Sequence, residues 1–134
     1  MSGLYIVIEI KIPDFDHYVS GRVLSRVEPV LHAVAQHQNV KPLMEFFSQN
    51  PEATLEILRS EGVPVKKQKP KILPEQWFEA KEGLATVQTL LKWVTENPER
   101  IKNHEALITE LKDFKRVLER AQAAGVRWHL DVDY

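Results

Sequence analysis

The last ten residues, GVRWHLDVDY from Gly125 to Tyr134, constrain the fold more than any other stretch. Trp128, Leu130, Val132 and Tyr134 alternate with Arg127, His129, Asp131 and Asp133. A period of two puts the first set on one face of a strand and the second on the other. A terminus that carries such an apolar face needs a partner, and the start of the chain offers one. There Leu4, Ile6, Ile8, Ile10 and Ile12 alternate with Tyr5, Val7, Glu9 and Lys11, a β-branched pattern that Pro13 ends. The two ends are therefore expected to be neighbours in one small antiparallel sheet, with their apolar faces toward whatever lies between them.

What lies between is helical. Val27, Val30, Leu31, Val34 and Ala35 form one helical stripe, with Asn39 as a left-handed cap. Lys41-Pro42 opens a short helix with Leu43, Phe46 and Phe47 inward. Asn50-Pro51 starts another, carrying Leu55, Ile57 and Leu58 and stopping at Gly62. Trp77 and Phe78 read as a turn that plugs the core, and Gly83 as the entry to a helix with Leu84, Val87, Leu90, Leu91 and Val94 inward. Asn103 caps the longest helix, whose Leu107, Leu111, Phe114, Leu118 and Ala121 recur at alternating spacings of four and three. Gly125 closes it. Residues 21–24 read as a short extra strand or turn. At 134 residues without repeats, the chain is expected to form one domain, 1–134. The fold class is α+β, helix-rich: a small antiparallel sheet of N- and C-terminal strands covered by four to five helices.

Four segments together, the LYIVIE strand, KPLMEFF at residues 41–47, WFEAKEGLATV at residues 77–87 and the closing GVRWHLDVDY, resemble a small bacterial family of uncharacterised proteins. The resemblance covers nearly the whole chain. It implies no activity, cofactor or site residue.

Composition narrows the function classes. A net charge of −1 gives no electrostatic footing for nucleic acid or for an anionic membrane surface. No cysteine is present, so disulfides, thiolate zinc ligands and a thiol nucleophile are excluded. The start has no signal-peptide pattern and no apolar run spans a bilayer, so a cytoplasmic location is expected. Lys66, Lys67, Lys69 and Lys71 crowd the one aperiodic loop, but no arginine or aromatic is interleaved with them and Glu61 and Glu75 flank them, as in a solvated loop.

The sharpest candidate site is the polar face of the last strand: Arg127, His129, Asp131 and Asp133, with His17 brought near by an antiparallel pairing. An imidazole and two carboxylates in a row suit a divalent metal or an acid–base pair. No HExxH or comparable second motif supplies further ligands, so no metal, cofactor or catalytic residue is assigned. The competing expectation is a salt-bridged sheet face, with Arg127 or His129 against Glu9 or Asp131. A candidate interface is the flank of the Gly83 helix at Leu90 and Trp93, where a homodimer or a protein partner would cover an apolar edge. Two readings follow: a non-enzymatic cytoplasmic interaction or regulatory module, favoured because acids and bases are scattered, and a metal-dependent enzyme or metal-binding protein using the polar strand face.

Overall fold

A computed structural model of the protein describes residues 3–51, 56, 60 and 74–133. The expected helix after Asn50 and the lysine loop fall mostly or wholly outside them. β1 (Gly3–Ile8) and β2 (Trp128–Asp133) pair antiparallel, with Leu4 opposite Val132, Ile6 opposite Leu130 and Ile8 opposite Trp128. The two termini thus form the sheet, as the alternation predicts. Single-residue bridges widen it: Leu4 to Gly21 beyond β1, and Leu130 to Phe47 and Trp128 to Phe78 beyond β2. β2 is consequently the middle of the layer, which explains how so short a pair persists.

α1 (Arg22–Arg26), α2 (Glu28–His37), α3 (Ala80–Glu96) and α4 (His104–Ala124) cover one face. α3 and α4 make the most extensive helix contact. Leu4, Ile6, Trp128 and Leu130 enter a core with Val87, Leu90, Leu107, Leu111, Phe114 and Leu118. Among the described residues no helix is long and apolar enough to cross a membrane.

Several boundaries differ from expectation for identifiable reasons. β1 stops at Ile8, not Ile12, because its ladder ends where the Glu9 N–H bonds the Arg127 carbonyl; beyond that, the partner chain turns at Gly125 (φ 68°) into α4. Ile10 is left exposed, Ile12 folds back into the interior, and Ile8 is half-buried. Gly21 makes its one bridge and then leads into α1, whose first N–H groups at Val23 and Leu24 donate to the Glu110 carboxylate at 3.1 and 2.8 Å. A carboxylate there satisfies orphan donors and matches the helix dipole. On α2, Leu31, Val34 and Ala35 are buried but Val30 is exposed, since this short helix is covered along one narrow line. Asn39 does adopt a left-handed φ of 59°. Asn103 precedes α4 with a φ of 61° and makes no side-chain capping bond; its carbonyl accepts the Leu107 N–H instead.

α3 begins at Ala80, three residues before its expected start at Gly83. Gly83 is a notch in the helix wall that receives the Trp128 indole, and a Cβ there would overlap the ring, lying 2.6 Å from Cε2. The indole stacks on Phe46 with centroids 5.0 Å apart and donates from Nε1 to the Glu79 carbonyl at 3.3 Å. Phe78 meets Phe46 edge-on at 5.4 Å, so Phe78 completes the plug expected of this turn.

Candidate functional site

Strand geometry does bring Arg127, His129, Asp131 and Asp133 to one face of the last strand segment, but the first three are each taken by a different neighbour. The Arg127 guanidinium grips the Glu9 carboxylate through two bonds, 2.7 and 3.2 Å long, across the end of the ladder. This is the salt-bridged sheet face foreseen as the competing expectation.

His129 is only 1% exposed, which a solvated strand face does not predict. Nε2 lies 2.7 Å from the Glu75 carboxylate and Nδ1 3.2 Å from the Leu130 carbonyl, so both ring nitrogens face oxygen. Trp77 covers the ring with centroids 4.7 Å apart. The cover is the 74–78 strap, held to β2 by reciprocal Phe78–Trp128 backbone bonds of 2.8 and 3.0 Å, while the Ser48 hydroxyl accepts the Gln76 N–H at 2.7 Å. Glu75 and Trp77 were not singled out as partners of His129. The one available signal was that the two are separated by one residue in the run that leads to the Phe78 bridge, so that in an extended chain they share a face. Removing Glu75 leaves a buried imidazole nitrogen without its acceptor. Glu75→Ala is therefore expected to cost about 1–3 kcal/mol in urea unfolding, with Trp77 emission shifting to the red. Unchanged stability and emission would mean that the strap is held without this pair.

Asp131 accepts the Tyr5 hydroxyl at 3.2 Å and its own neighbour's N–H, from Val132, at 2.8 Å. Burial first, then the charge of Asp131, its hydrogen bond and the charge of Asp133 push the Tyr5 phenol up to about 12 from its usual 10.0. A folded-state value above the unfolded one contributes stability fully present below pH 10 and lost as pH rises through about 12. In alkaline titration, the tyrosinate absorbance of wild type minus Tyr5→Phe should appear near pH 12 while the protein stays folded. A component titrating at the ordinary tyrosine value would remove this reading.

Asp133 is exposed, and it lines a groove of about 410 Å³ with His17. One wall is β1, from Gly3 to Val7; the other is the segment of residues 17–20 that leads into the Gly21 bridge. Proximity of His17 to the end of the last strand is thus found, but His129 and Asp131 belong to other surroundings. Among the described residues no group of three or more His, Asp or Glu side chains is placed to hold a metal ion.

The groove borders an open sheet edge. In an antiparallel ladder alternate residues bond inward and outward. Glu9 bonds β2 and Leu4 bonds Gly21, so the N–H and C=O of Ile6 and Ile8 point away from β2. Among the described residues they meet no backbone partner. Tyr18, which lines the groove, is 68% exposed, one of three exposed large hydrophobic residues among those described.

The interface expected at Leu90 and Trp93 is corrected by the packing of α3. Leu90 is fully buried and Leu91 half-buried, because α2 and α4 both lie against this helix and widen its buried face. Only Trp93, itself packed on the core, retains exposed surface from that pair. Comparison with family models, with curated proteins and with solved structures found no match to this chain.

Proposed function

We propose that this protein is a non-enzymatic, cytoplasmic interaction module that receives a segment of a protein partner at the outer edge of β1. The observation that carries this reading is the open edge at Ile6 and Ile8 beside a groove lined by exposed Tyr18. Natural sheets blunt their edges with lysine, proline or a bulge, and residues 4–8 contain none of the first two. An unblunted edge is a template for strand addition. The polar face of β2 supports the same reading from the other side, since Arg127, His129 and Asp131 spend their hydrogen-bonding capacity on Glu9, Glu75 and Tyr5.

Selection from a displayed library of random peptides tests it. Wild type should enrich peptides that lose binding to Tyr18→Ala, a change at an exposed side chain with little bearing on the fold. Failure to enrich any peptide, or enrichment indifferent to Tyr18, rejects the β1 edge as a docking face.

A further inference from the structure

Resting on the interaction-module reading, we infer that the groove beside β1 takes an extended peptide that pairs its backbone with Ile6 and places a basic side chain at Asp133. Three observations converge on that occupant. The first is the backbone itself. Ile6 offers an outward N–H and C=O, and only another extended chain satisfies both at strand spacing.

The second is shape. Residues 17–21 bridge to β1 at Gly21 and then stand off from it, so the groove is closed on the side away from β1. An extended peptide paired with β1 would lie between it and residues 17–20. A second copy of this chain pairing through its own β1 would bring residues 3–8, which carry no basic side chain to meet Asp133.

The third is charge. Asp133 is exposed at the Gly3 end of the groove and makes no ion pair among the described residues. Asp131 is the next carboxylate along the same face, bound to Tyr5. Arg22 stands beside Gly3 but likewise forms no ion pair among the described residues. Tyr5, His17 and Tyr18 add aromatic walls, which favour a guanidinium or ammonium stem over a carboxylate. Val7, half-buried, supplies apolar surface for the residue next to the basic one.

Three synthetic peptides separate these contributions: acetyl-Val-Arg-Val-Thr-Val-amide, its counterpart with Glu for Arg, and the Arg peptide N-methylated at alternate residues. Titration into the full chain is followed by backbone amide NMR. The Arg peptide should shift the amides of Ile6, Ile8 and Tyr18 and bind about five- to tenfold more tightly than the Glu peptide. Asp133→Asn should erase that difference, and N-methylation should abolish binding without altering the protein. Equal affinity of the Arg and Glu peptides, undiminished binding of the N-methylated one, or no binding by any of them at millimolar concentration overturns the inference. If the displayed library instead enriches uncharged or acidic segments that shift the same amides, the module reading stands and the basic occupant falls. If the library enriches nothing, both fall together.

Discussion

Gly83→Ala is expected to destabilise the protein by about 2 kcal/mol or more, opposite in sign to the usual result of this substitution in a helix. In an exposed helix interior alanine is favoured over glycine by about 1 kcal/mol, because glycine loses more backbone entropy on folding. Here the new methyl would lie 2.6 Å from Trp128 Cε2 and 2.8 Å from Nε1. Overpacking a close-packed interior typically costs about 1–3 kcal/mol and sometimes more. The indole has nowhere to retreat: it is fully buried, stacked on Phe46 on one side and tied to the Glu79 carbonyl through Nε1. Moving it also pulls on β2, since Trp128 holds the Phe78 bridge through its backbone. Urea unfolding of the variant measures the loss. A second measurement isolates its cause: in a Trp128→Phe background the smaller ring should tolerate the methyl, making the two changes strongly non-additive. A stabilised or neutral Gly83→Ala would mean that α3 shifts away from β2 at little cost.

That notch also marks where sequence reading stops. Gly83 looks like a helix entry because glycine is a poor interior helix residue, and only the ring from a strand 45 residues later in the chain, at Trp128, explains it. The sheet was legible for the opposite reason. Alternation in residues 4–8 and 128–133 is a local signal, and an apolar face at each end of one chain has few other ways to leave water. The α4 stripe of Leu107, Leu111, Phe114, Leu118 and Ala121 was equally plain, for a helix buried along one side repeats at 3.6 residues. α3 is pressed by α2 and α4 from different directions, so a single stripe could not decide between Leu90 and Leu91. At the candidate site, periodicity placed His129 on the correct face of β2, and pairing placed His17 near Asp133. It could not foretell that the strap around the Trp77-Phe78 turn would bury His129 through Glu75, 54 positions away. Patterns report which way a side chain points; burial of a polar one is decided by whichever distant segment arrives.

Leu130→Ala should cost about 2–5 kcal/mol, the range for truncating a fully buried leucine without collapse of the site. Leu130 is wholly buried opposite Ile6, at the centre of a strand flanked by β1 and by the Phe47 bridge, so its surroundings are held from both edges. Ile8→Ala, at the half-buried end of β1, should cost less than half as much. Equal losses at the two positions would place Ile8 in the core and contradict the early end of β1. The kinetics should be as uneven as the energies. α3 and α4 are near neighbours in sequence and pack closely, whereas β1 and β2 join the two ends of the chain. Closing so long a loop has an entropic cost that a partly formed sheet does not offset, so the helical pair is expected to assemble first and the sheet late. Leu130→Ala should then act mainly on the unfolding rate, and Leu111→Ala, at a fully buried position in α4, should slow folding. Stopped-flow chevrons for the two variants decide the order. A Leu130→Ala protein that folds slowly and unfolds at the wild-type rate would put the terminal strands in the nucleus and reverse this sequence of events.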